Sequence, residues 1–113
     1  MTEPGFVAIA DAGDLWDGEM ESYDLDGREI LLIRLDGEYL AFDGSCPHQG
    51  TSLADGTLEG GLLTCSAHLW EFDVRTGRGV NPATACLKRH QVRLADGRVL
   101  VSRTAATTVR TGV

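Results

Sequence analysis

Two of the three cysteines and two of the three histidines fall into a paired arrangement: Cys46-Pro47-His48, sixteen residues, then Cys65-Ser66-Ala67-His68. Each arm offers one soft thiolate and one imidazole. Two such arms, each on a turn, can converge as two sulfur and two nitrogen ligands, a set that suits zinc or an iron–sulfur cluster. Zinc fingers usually pair like with like, whereas each arm here is mixed. A mixed arm suits two adjacent irons, because one loop can give its thiolate to the first and its imidazole to the second. The bland alternative is two buried structural cysteines with incidental histidines, and the paired spacing argues against it. Cys86 has no histidine at ligand spacing and sits beside Leu87, so it reads as a buried free thiol. His90 reads as a surface histidine, and Trp16 as a packing residue. No nucleophile stands at motif spacing from a base, and Gly60-Gly61 is too short for a phosphate loop, so catalysis by this chain is not expected.

The elements that must position these arms are short and β-rich. Asp26-Gly27, Asp36-Gly37 and Asp96-Gly97 supply the positive φ angles of tight hairpin turns. Met20–Leu25, Arg28–Leu35 and Glu38–Asp43 therefore read as a meander of three antiparallel strands, and Leu87–Leu94 with Arg98–Arg103 as a second hairpin. In the latter Val92, Leu94, Val99 and Val101 alternate with polar residues, as in a sheet with one buried face. Between them, Leu58–Thr64 and Trp70–Val74 read as strands amid crowded turn residues. No helix of any length can be placed, and fourteen glycines fall mainly between the runs. The class is all-β: a larger sandwich or barrel carrying a small insertion over Asp43–Pro82. The tail from Thr104 is poor in apolar residues and is expected to fray.

A chain of 113 residues has the size of one domain with one core. No apolar run approaches the roughly 18–20 residues that span a bilayer. Met1–Asp11 lacks the basic and apolar layout of a secretory signal, so a cytoplasmic protein is expected, and a reducing compartment disfavours a disulfide framework. The net charge of −7 repels polyphosphate and disfavours a nucleic-acid partner. Residues 1–59 hold fourteen acids against Arg28 and Arg34, and residues 60–113 three acids against eight bases. This asymmetry suits either steering of a complementary partner or plain solubility.

On these residues the sequence resembles the Rieske ferredoxins, whose motif is Cys-x-His, a spacer, and Cys-x-x-His, matched at Cys46, His48, Cys65 and His68. The stretches Cys46-Pro47-His48-Gln49-Gly50, Cys65 to Asp73 and Gly79-Val80-Asn81-Pro82, with Asp14-Leu15-Trp16 and Gly18-Glu19-Met20, are similar to ferredoxins of toluene and alkene monooxygenase systems. The resemblance implies one Rieske domain over 1–113: an antiparallel β-sandwich or barrel base (1–42 and 83–103), a small cluster-binding β subdomain (43–82) and a flexible tail (104–113). It implies one 2Fe-2S cluster, with Cys46 and Cys65 on a buried iron and His48 and His68 on the outer one. Pro47, Gln49, Leu69 and Trp70 would form a docking patch, Trp70 serving as anchor or as a lid over the sulfides. Pro82 would close a third loop, or is simply a turn proline. The implied partners are an NADH-dependent flavin/iron–sulfur reductase and the diiron hydroxylase of a hydrocarbon monooxygenase, or alternatively a ring-hydroxylating dioxygenase. The carrier would be monomeric when free.

Mixed ligation leaves the oxidised cluster neutral, where four thiolates leave it doubly negative, so electron uptake is easier than in plant-type ferredoxins. High-potential respiratory members add a disulfide and two hydroxyl donors. The corresponding positions here hold Thr51 and Ala67, and Trp70 and Phe72. A potential at the low end of the Rieske range is expected.

Overall fold

The computed structural model describes residues 5–25, 27–44, 52–65, 70–81, 87–103 and 106–107. In chain order its strands are β1 (Phe6–Asp11), β2 (Met20–Leu25), β3 (Arg28–Leu35), β4 (Glu38–Asp43), β5 (Thr57–Glu59), β6 (Leu62–Thr64), β7 (Glu71–Asp73), β8 (Arg78–Asn81), β9 (Lys88–His90), β10 (Val92–Ala95), β11 (Arg98–Ser102) and β12 (Ala106–Thr107). A 3₁₀ turn, Leu53–Asp55, precedes β5. Three antiparallel sheets result, ordered β1-β11-β10, β12-β9-β4-β3-β2 and β5-β6-β7-β8. The class is all-β, as expected. Among the described residues no helix is long and apolar enough to cross a membrane.

The meander β2-β3-β4 has the bounds read from the sequence. Its second turn shows why Asp-Gly works: Asp36 and Gly37 have φ of 53° and 79°, and Asp96 and Gly97 repeat this at 52° and 74°. Both central residues of a type I′ turn need that left-handed region.

β3 organises the core. Its run Ile30-Leu31-Leu32-Ile33 is fully buried, and strand alternation sends successive side chains to opposite faces. Ile30 and Leu32 join Leu15, Leu25, Ala41, Val99 and Val101 in one cluster. Leu31 and Ile33 join Phe42, Leu53, Leu63, Cys65, Phe72 and Leu87 in the other. The central sheet is thus packed on one face by β11 and on the other by β6 and β7.

Several elements differ from expectation. β1 is not marked by any turn pair in the sequence; it pairs with β11, far along the chain. Leu58–Thr64 is not one strand but the hairpin β5–β6, since Gly60 and Gly61 (φ 56° and 89°) turn the chain between Glu59 and Leu62. Leu87–Leu94 breaks at Gln91, so that β9 joins the central sheet and β10 the sheet of β11. Leu94, on this edge strand, is exposed, whereas Leu100 is buried. Ala106–Thr107, in the tail expected to fray, pairs with β9.

Candidate metal centre

The two ends of β4 and β6 prepare the two arms. At the end of β4, the Gly44 N–H donates to the Glu29 carbonyl (2.9 Å), and the Leu53 N–H returns to the Gly44 carbonyl (2.7 Å). These bonds fasten the two ends of the segment that contains Cys46 and His48. At the end of β6, the Cys65 N–H donates to the Trp70 carbonyl (2.7 Å), fastening the segment that contains His68. A third root lies between Gly77 and Leu87, whose N–H donates to the Gly77 carbonyl (2.7 Å) around the segment containing Pro82.

The roots are packed against one another. Leu53, Cys65 and Leu87, one from each root, share an apolar cluster with Phe72, and Trp70 packs against it. The first arm also touches the second through backbone. A Cβ built on Gly56 would fall inside the Thr64 carbonyl oxygen and lie 3.0 Å from the carbonyl carbon. Only glycine lets the chain leaving the 3₁₀ turn rest on the residue before Cys65. Glu29 braces the same region: its side chain fills the space where a Gly44 Cβ would sit, 2.6 Å from Cγ, and its carboxylate accepts from the Ser52 hydroxyl.

Of the expected ligands, Cys65 falls among the described residues; Cys46, His48 and His68 lie outside them, as do Pro47, Gln49, Leu69, Pro82 and Cys86. Cys65 is buried at 1 % exposure. A soft sulfur donor secluded among Leu53, Leu63, Phe72 and Leu87 fits an iron held away from water. Trp70 is half-buried, its ring 6.5 Å from that of the buried Phe72 and tilted by 52°.

Two expectations are corrected. His90 is not a surface histidine: it is 1 % exposed, with Nδ1 2.7 Å from the Ser102 carbonyl and Nε2 2.8 Å from Asp43 Oδ1. Its burial rests on two acceptors remote in sequence, which spacing does not reveal. Trp16 is not a packing residue but 77 % exposed, because Leu15 beside it takes the buried position. Sequence reasoning missed Glu29, Ser52 and Gly56 altogether. Asp55-Gly56 reads only as one more turn, and nothing local marks Glu29 as a brace.

An all-β chain whose two candidate arms are fastened at their roots, with the Cys65 thiol secluded at the second, suits a metal held away from water. The comparisons agree. Residues 5–103 match the Rieske [2Fe-2S] domain family. The ferredoxin component of the alkene monooxygenase system of Xanthobacter autotrophicus strain Py2 is 45 % identical over 97 residues, covering 85 % of this chain and 80 % of its own. The ferredoxin component of the naphthalene 1,2-dioxygenase system of Pseudomonas putida is 32 % identical over 102 residues, covering 89 % and 97 %. Among solved structures, a complex of reduced oxygenase and oxidised ferredoxin in carbazole 1,9a-dioxygenase contains a chain that superimposes with a TM-score of 0.83 at 26 % identity, covering 91 % and 97 %. The carbazole 1,9a-dioxygenase ferredoxin of Nocardioides aromaticivorans IC177 gives 0.79 at 25 %, covering 88 % and 98 %.

The chain belongs to the Rieske [2Fe-2S] family. It is a ferredoxin with one Rieske-type 2Fe-2S cluster, an electron carrier and not a catalytic subunit. When bound, the cluster accepts one electron and gives it up again.

Proposed function

We propose that Cys46, His48, Cys65 and His68 hold the cluster, and that the protein carries single electrons from an NADH-dependent flavin/iron–sulfur reductase to the diiron hydroxylase of a bacterial hydrocarbon monooxygenase. The observation that carries this reading is the 45 % identity to the alkene monooxygenase ferredoxin component, against 32 % to the naphthalene dioxygenase one. A base of 1–42 and 83–103 with a cluster-binding part of 43–82 accords with the three fastened roots. His48 and His68 would form the electron exit, flanked by Pro47, Gln49, Leu69 and Trp70 as a docking patch and by Pro82 on the third loop. Trp70, packed on the core while partly exposed, suits a partner anchor. The carrier is assigned to the cytoplasm and to a monomer when free.

A second reading, service to a ring-hydroxylating dioxygenase, is favoured by the structural likeness to a ferredoxin found with its oxygenase. Reconstitution separates the two. With NADH, a reductase and a diiron hydroxylase, product that forms only when this protein is added supports the monooxygenase role. If no product forms while the reduced protein is reoxidised by a ring-hydroxylating dioxygenase, the second reading takes its place.

A further inference from the structure

Among the described residues, His90 is a fully buried ionisable group that electron transfer through the cluster leaves unused. Its two ring nitrogens meet two acceptors. The Ser102 carbonyl, 2.7 Å from Nδ1, can only accept, so Nδ1 carries a hydrogen. The Asp43 carboxylate, 2.8 Å from Nε2, also only accepts when ionised. A neutral imidazole has one N–H and cannot serve both. Ring and carboxylate together therefore hold one proton more than a neutral ring beside an ionised acid. The Asp43 side chain is 27 % exposed and keeps contact with water, while the ring is fully enclosed. A carboxylate in contact with water keeps its charge, which places the shared proton on the enclosed ring.

Other charged groups at this end are engaged elsewhere or face solvent. On β3, the Glu29 carboxylate accepts from Ser52, and the Arg28 guanidinium donates to the Arg103 carbonyl (3.2 Å). On β9, Lys88 and Arg89 are exposed.

The position of the pair gives it a use. Asp43 ends β4, one residue before Gly44, the root of the first arm. His90 ends β9, which starts directly after Leu87, the root of the third segment. We propose that His90 is a buried imidazolium and a positioning residue, whose ion pair with Asp43 clamps the root of the Cys46–His48 arm to the root of the third segment. The positioning role rests on the assignment of Cys46 and His48 as ligands; the charge state of the ring does not.

The test is ring ¹⁵N NMR of the intact, cluster-loaded protein labelled at histidine, at pH 7. The chain has three histidines, and iron-bound His48 and His68 are displaced and broadened, leaving one ordinary set, assigned by its loss in His90→Gln. Two protonated nitrogens in that set are expected, whereas one bare nitrogen overturns the imidazolium. In Asp43→Asn the amide group can donate to Nε2, so one of the two ring N–H signals should vanish; persistence of both would show that the carboxylate does not hold the charge. For positioning, Asp43→Asn should alter the electron paramagnetic resonance of the reduced cluster, while Asp36→Asn, in the turn that precedes β4, leaves it unchanged. An unaltered spectrum in Asp43→Asn overturns the clamp. Sharp, ordinary signals from His48 and His68 instead overturn the ligand assignment, a separate result from the state of His90.

Discussion

Gly56→Ala sets two physical effects of opposite sign against each other. The backbone at Gly56 is extended (φ −85°, ψ −158°), outside the left-handed region that favours glycine. On conformational entropy alone the substitution should stabilise by about 0.4–1 kcal/mol. Packing opposes this, because the new methyl meets the Thr64 peptide, with the carbonyl carbon at 3.0 Å, and the Leu53 carbonyl oxygen at 3.3 Å. Neither obstacle is a flexible side-chain end. Comfortable contact needs about 3.5–4.0 Å, so the 3₁₀ turn and the end of β6 must separate by on the order of 1 Å. Overpacking of this kind costs about 1–3 kcal/mol. Packing wins, and a net loss of about 1–2 kcal/mol is expected, roughly 5–15 °C in Tm for a domain of this size. The same displacement moves Cys65 away from the first arm, so cluster content per chain, measured as iron and acid-labile sulfide, should fall as well. Gly97→Ala is the control: its φ of 74° makes alanine costly, but its surroundings are open and it sits in the β10–β11 turn, so stability should fall with cluster content retained. A Gly56→Ala protein with unchanged or raised Tm and a full cluster would refute the claim that this glycine seats one arm on the other.

Other outcomes follow from the same structure. Phe72→Ala removes a fully buried ring beneath the arms and should cost about 3–5 kcal/mol in denaturant unfolding, with cluster loss. His68→Cys should retain an iron–sulfur cluster but lower its midpoint potential by on the order of 100 mV or more in redox titration, since a thiolate restores negative charge; an unchanged potential would contradict the ligand role of His68. Burial, and next the negative charge of Asp14, hold the Tyr23 hydroxyl above the ordinary tyrosine range. The folded protein thus keeps this proton at pH values where the unfolded chain releases it. The resulting stability is complete below about pH 10 and is lost as pH rises through the raised value, so Tyr23→Phe should flatten that part of the alkaline unfolding profile.

What the sequence made legible was local. The meander over β2, β3 and β4 could be read because Asp-Gly pairs bound runs of strand-forming residues, and the required φ angles are present at Asp36 and Gly37. Arg28–Leu35 could be read as a strand, though not that its run Ile30–Ile33 is buried and divides two cores. Long-range matters were illegible. Nothing in Phe6–Asp11 names β11 as its partner, and Gln91 carries no mark of the point where one continuous run crosses between sheets. His90 sits in the polar string Lys88-Arg89-His90-Gln91, and its burial depends on acceptors at Asp43 and Ser102. The Cys/His pattern showed the opposite balance: its residue types and spacing pointed to the 2Fe-2S chemistry that the family match bears out, whereas Glu29, Ser52 and Gly56, which brace the roots of the proposed arms, emerged only from the packing.

The pairing of β1 with β11 also imposes an order on the birth of the molecule. β1 leaves the ribosome well before its partner β11, a delay of roughly several seconds at ordinary translation rates. During that interval the meander can close from neighbouring segments, and both proposed ligand arms have been synthesised, while Phe6 and Val7 have no sheet to join. A nascent chain halted before residue 98 therefore carries complete arms on an unclosed scaffold. Delivery of iron and sulfide to the arms during synthesis would thus meet a protein whose first strand is still unpaired.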